Sequence, residues 1–147
     1  MIGVKMTDPD VAKIPALKRK REVTVFAGNA AVAFRSLLAG VDGSMIIAPA
    51  IFPTAYRQVV RSLQAGRQAE ALEVFSDCIL PLIHLFGLGG EVANTKAILM
   101  EMGIFRSDEV RLPLLPCSVE RREELMLAHQ LCTKRFSGQP VAGGISS

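Results

Sequence analysis

The rhythm of apolar and polar positions changes near Pro53. Before it, three short runs are apolar on almost every position: Ile2–Met6, Val23–Ala27 and Ser44–Ala48. Strands buried on both faces read this way, whereas half-exposed strands alternate. A helical signal follows each of the first two runs. Thr7-Asp8-Pro9-Asp10 offers a capping residue, an acidic residue three positions on and a proline in the first turn, which predicts a helix starting at Thr7. Pro15 kinks or shortens that helix. Gly28 and Asn29 make a turn, and Ala30–Leu38 is a helix rich in small residues, closed by Gly40. Strands that are apolar throughout, joined by helices, predict a parallel sheet with helices outside.

After Pro53 no strand pattern recurs as far as Cys132. Helices fit Thr54–Gln64, Gln68–Phe86, Glu91–Met102 and Ser118–Lys134, with Gly66, the Gly87–Gly90 stretch and Gly103 between the first three and after the third. Leu112–Cys117 is extended, because its prolines fix φ and bias the residues before them. The tail after Phe136, SGQPVAGGISS, has the composition of a disordered segment. Three parallel strands make a thin sheet with two open edges, an odd complete fold.

Half of the residues are hydrophobic, which suits elements buried on more than one side. The uncharged stretch Gly43–Tyr56 is interrupted by Pro49 and Pro53 and falls short of the ~20 apolar residues of a membrane helix. The N-terminal MIGVKMTDPD has no long apolar region and does not read as a signal peptide. Net charge is +3, with Lys18, Arg19, Lys20 and Arg21 clustered against Glu22 alone. No aromatic residues interleave with this run, so it reads as a solvated helix end and not as a nucleic-acid surface. Cys78, Cys117 and Cys132 are odd in number and widely spaced, which predicts reduced thiols, no zinc site and a cytoplasmic location.

The string IGVKMTDPD resembles the strand-six motif of the dihydrodipicolinate synthase / N-acetylneuraminate lyase family, the lysine-dependent pyruvate aldolases. VFAGNAA resembles the end of that family's strand seven, and AGVDGSMIIAPAIFP its glycine-rich approach to strand eight and strand eight itself. VRLPLLP, Val110–Pro116, resembles a late signature before the last helix. Order and spacing are kept without a gap over roughly residues 2–135. The resemblance implies an α/β fold: a partial TIM (β/α)8 barrel with strands like six to eight over 1–52, then a closing helix and C-terminal helical cluster over 53–135, then the 136–147 tail. It implies a lyase that forms a lysine Schiff base with pyruvate or another 2-oxo acid, without cofactor or metal. It also implies homo-oligomers in the full-length family.

The resemblance makes Lys5 the catalytic lysine. Its chemistry fits: a lysine flanked by Val4 and Met6 in an apolar strand is pushed towards the neutral amine that attacks carbonyls. Catalytic groups of (β/α)8 barrels stand at the C-terminal ends of strands, and Lys5 is near the end of its own. A lysine stem on apolar surface with its head in water is the bland alternative. Gly28 and Met45 match substrate-binding positions. Gly28 also reads as an ordinary turn glycine, and Met45 as barrel core. His84, in LPLIHLF, reads as a partly buried packing histidine, and His129 as a surface residue. Glu91 and Lys96 fall near a family segment at the barrel mouth.

A barrel of this type needs ~250 residues, and strands like one to five have no counterpart here. The family's hydroxyl pair on strand two and tyrosine on strand five are therefore missing. Tyr56, the single tyrosine, follows strand eight and matches neither. Three readings follow: a truncated aldolase with reduced or no activity, a non-catalytic half barrel that associates with another chain, or a free-standing α/β domain. The substrate within the family stays open.

Overall fold

A computed structural model describes residues 3–20, 23–87 and 90–136. Three short parallel strands, β1 (Gly3–Met6), β2 (Thr24–Ala27) and β3 (Gly43–Ser44), lie side by side in chain order. Lys5 pairs with Phe26, and Phe26 with Gly43. Because strand side chains alternate, Val4, Met6, Val25 and Ala27 share one face and Lys5 and Phe26 the other. Helices α1 (Lys13–Lys20) and α2 (Ala33–Leu38) pack against β2, and Val25 and Ala27 are buried while Lys5 is exposed.

β1 and β2 fall within the two apolar runs. The first helix begins six residues later than its cap signal suggested. Asp8 and Asp10 accept hydrogen bonds from the backbone N–H groups of Asp10 and Ala12 instead, closing two tight polar turns. Pro15 then lies in the first turn of α1, where no helical hydrogen bond is lost. The third strand is also corrected. It covers Gly43–Ser44, not Ser44–Ala48, and the chain turns at once into α3 (Ala48–Ile51) with Pro49 in its first turn.

The helical half matches its sequence pattern more closely. α4 spans Pro53–Gln64, α7 Glu91–Glu101 and α8 Val119–Phe136. Ser118 caps α8, its hydroxyl accepting from the Arg121 N–H. The long helix expected over Gln68–Phe86 is instead α5 (Gln68–Val74), a π-helical turn (Phe75–Ile79) and α6 (Leu80–Gly87). Pro81 has no N–H to give to the preceding turn, so the ladder widens just before it. The Gly/Ser-rich tail lies outside the described residues.

The main core belongs to this half. Ile51, Val59, Val74, Ile79, Leu82, Ile98 and Leu125 are fully or almost fully buried in one cluster spanning α3 to α8. The basic run partly resolves into structure: Lys18 donates to the Gly40 carbonyl and to Asp42, which also accepts from the Val25 N–H at 2.8 Å. That knot joins α1, β2 and the approach to β3. Arg21 and Glu22 lie outside the described residues. No helix among the described residues is long and apolar enough to cross a membrane.

Candidate active site at the strand ends

Parallel strands put their C-terminal ends on one rim, and here that rim carries Lys5, Gly28 and Met45. Lys5 is the penultimate residue of β1, while Gly28 and Met45 directly follow β2 and β3. The Gly28 N–H donates to the Met6 carbonyl at 2.7 Å, and the Met45 N–H to the Ala27 carbonyl at 2.8 Å. Each strand end is thereby tied to its neighbour.

Gly28 is needed for the close approach of a side chain. It is not among the positive-φ glycines, so a sharp left-handed turn is not its role. A Cβ built on it would stand 2.6 Å from Lys5 Cε, 2.7 Å from Lys5 Cγ and 2.8 Å from Thr7 Cγ2. The Lys5 stem therefore crosses directly over the glycine backbone. Gly43 plays the same part for Phe26, whose ring would lie 3.0 Å from an added Cβ. The Lys5–Phe26–Gly43 row thus forms a continuous face, and Lys5 on it is exposed. The burial expected of Lys5 in an apolar strand is not found: Lys5 is exposed, and its neighbour Phe26 is only part-buried.

Beside the rim is a cleft of about 310 Å3. Thr7, Gly28 and Asn29 line one side, and Ile47, Phe86 and Glu91 the other. Asn29 holds the rim together: its side-chain amide donates to the Thr7 carbonyl at 3.1 Å, and its oxygen accepts from the Ala31 N–H at 3.0 Å. The sequence placed Asn29 only in a turn and Thr7 only at a helix start, and did not mark Phe26. A short polar residue directly after a strand-end glycine was the available signal for the first.

Met45 is half-exposed, at 56 %, and its N–H is already spent on Ala27. Its amide is not a free donor. Glu91 lines the cleft as its position implied. Lys96 points elsewhere and donates to the Glu109 carbonyl. The two histidines exchange their expected places. His84 is exposed, whereas His129 stacks on Phe52, ring centroids 5.4 Å apart, and burial pushes its pKa down. Tyr56 is buried on α4 with its hydroxyl donating at 2.6 Å to Ser44 Oγ, at the end of β3 next to Met45; burial raises its pKa. Among the described residues no cluster of three His, Cys, Asp or Glu could hold a metal.

Comparison with known proteins decides the lineage. The profile of the Dihydrodipicolinate synthetase family matches residues 1–131. The chain belongs to this family. It is 32% identical over 120 residues to a 4-hydroxy-tetrahydrodipicolinate synthase of Stenotrophomonas maltophilia (strain R551-3), covering 80% of this chain and 39% of that protein. Against the enzyme of the same name from Xanthomonas campestris pv. campestris, identity is 32% over 145 residues, covering 97% and 44%. The crystal structure of dihydrodipicolinate synthase from Thermotoga maritima superimposes with a TM-score of 0.80 at 26% identity, covering 90% of this chain and 46% of that one. The chain therefore spans less than half the length of the family members it matches.

Proposed function

We propose that Lys5 forms a Schiff base with pyruvate or another 2-oxo acid, in the service of making or breaking a carbon–carbon bond. One observation carries the reading: the Lys5 stem crosses Gly28 at the rim of a parallel sheet, beside an open cleft. The Lys5 amine adds to the keto carbon, and loss of water leaves a protonated imine. That cation draws electrons from the adjacent carbon, so a proton or a carbon substituent there leaves and its bonding pair is held as an enamine. Run backwards, the enamine carbon attacks an aldehyde and the bond forms. Gly28 gives lysine and substrate room at the rim. Met45 enters by its place at the end of β3, not as an amide donor.

On this reading residues 1–52 are the last three strand–helix units of a (β/α)8 barrel, and 53–135 its closing helix and helical extension. A cytoplasmic location and homo-oligomeric full-length relatives belong to the same reading. Borohydride trapping tests it. Chain incubated with pyruvate and reduced should gain about 72 Da, the mass of a reduced pyruvyl imine, on the peptide holding Lys5. Folded chain with no adduct on Lys5 would sink the proposal.

A second reading has its own support. On the face bearing Lys5 and Phe26, Lys5 is exposed and Phe26 only part-buried, as expected of a half-barrel subunit that associates with another chain and is not itself catalytic. Mixing with a chain that supplies the family's strands one to five, with their hydroxyl pair and tyrosine, separates the two. Trapping on Lys5 without that chain favours the catalytic reading, and a stable complex without trapping favours the subunit.

A further inference from the structure

Cys78 and Cys132 are far apart in sequence and adjacent in space. Cys78 lies in the π-helical turn and Cys132 in the last turns of α8, and each is only 3% exposed. The π-helical turn packs against α8, and both thiols belong to the same buried cluster. Arg135, three positions after Cys132, bridges to Glu73 at 2.8 Å and to Asp77, the residue before Cys78. This clamp fixes α8 against the wide turn beside both cysteines. An apolar cleft of about 140 Å3, bounded by Phe52, Pro53, Thr133 and Phe136, reaches Cys132. Cys117 stands apart, its thiol turned to the Ser118 carbonyl.

Two core cysteines can be simple small apolar packing. Two buried thiols at one helix–turn contact, with both backbones held by an ion-pair clamp, go further. We propose that Cys78 and Cys132 are a paired oxidation site, joined as an intramolecular disulfide by a small two-electron oxidant such as hydrogen peroxide. The sulfur of Cys132, which the cleft reaches, attacks one peroxide oxygen; its proton passes to the departing oxygen, which leaves as water, giving a sulfenic acid. The sulfur of Cys78 then displaces water from it. Two thiols and one peroxide become one disulfide and two waters. Burial holds both thiols protonated, so the folded pair oxidises slowly. The inference is independent of the Schiff-base reading.

The test is a thiol count on the folded full chain. After peroxide treatment, removal of excess oxidant and denaturing alkylation, the chain should take one alkyl group, on Cys117, in place of three. Its mass before alkylation should fall by about 2 Da, a peptide map should link Cys78 to Cys132, and dithiothreitol should restore all three sites. Cys117→Ser should keep the link, and Cys132→Ala should lose it. Three alkyl groups after oxidation, a link through Cys117, or added oxygens that dithiothreitol does not remove would overturn the proposal. Should Cys132→Ala fail to fold, the peptide map of the unaltered chain still decides.

Discussion

Gly28→Ala puts the candidate site under the most direct strain. The new methyl would stand 2.6 Å from Lys5 Cε and 2.7 Å from Lys5 Cγ. Carbon atoms rest at about 3.5–4.0 Å, so the lysine stem must move by about 1 Å. It can do so, because its tip is in solvent and its bonds rotate. The cost in stability is then about 1 kcal/mol, the low end for overpacking. The cost in chemistry is larger, since a misplacement of ~1 Å at a reacting group can cost about 10²-fold in rate. The assay is the time course of borohydride trapping with pyruvate on Lys5, run beside a thermal melt. Gly40→Ala is the control. Gly40 has φ 87°, and an added Cβ there meets nothing within 4 Å. It should lose about 1 kcal/mol through backbone strain yet trap at the unaltered rate. If Gly28→Ala labels Lys5 as fast as the unaltered chain, the lysine does not act from over Gly28 and the site is wrongly drawn.

Other outcomes follow from single contacts. Tyr56→Phe removes the hydroxyl given to Ser44, and should lower stability by about 1 kcal/mol while leaving pyruvate trapping unchanged, as measured by melt and mass. Asp42 is held below the usual carboxylate range by Lys18 and the Val25 N–H. Its contribution is therefore present above the unfolded value of about 3.9 and is lost as pH falls through the lower folded value. Asp42→Asn should lower stability at pH 7 and shrink the loss seen between neutral and strongly acid pH in denaturant titrations. Leu125→Ala, at a fully buried position, should cost about 2–5 kcal/mol, whereas Leu127→Ala, at an exposed one, should stay within about 0.5 kcal/mol. Equal losses would refute the assigned inner face of α8.

Much of this was legible because sheet and helices use different rhythms. Unbroken apolar runs marked β1 and β2, and glycines marked the helix ends. The third run misled because MIIA is apolar for a different reason: Ile47 and Ala48 line the cleft and lead into α3. The histidines misled through helix phase. His84 was judged by its apolar neighbours, but Ile79, Leu82 and Phe86 recur at helical spacing and His84 falls off that stripe, on the exposed side with Leu80 and Pro81. His129 was readable: Leu125, His129 and Cys132 recur at helical spacing on the stripe that faces the core. The cysteine pair was not readable, since only the packing of α8 on a distant turn brings the sulfurs together. The family came through most clearly, because IGVKM, VFAGNAA and VRLPLLP keep their order and spacing. Which side of β1 would stay in water did not, since sequence lays Lys5 in an apolar strand and says nothing of what covers that face.

Lys5 and most of the core lie in different halves of the molecule, although Ala48 and Phe86 belong both to the core and to the cleft wall, and this bears on how each can fail. The large buried side chains cluster in α3 to α8, far along the chain from Lys5. The strands that carry Lys5 are short, and one face of them is open. Elements with few buried apolar contacts open locally at free energies well below global unfolding. A chain can therefore remain folded by every bulk measure while its strand rim is poorly ordered. For the same reason, a partner that covered the Lys5–Phe26 face would act mainly on the rim and little on the melting of the helical half. Trapping rate and thermal stability are thus separate readouts here. A result in which both rise together on adding a partner would mean that the partner docks on the helices, and that the open sheet face is not where association occurs.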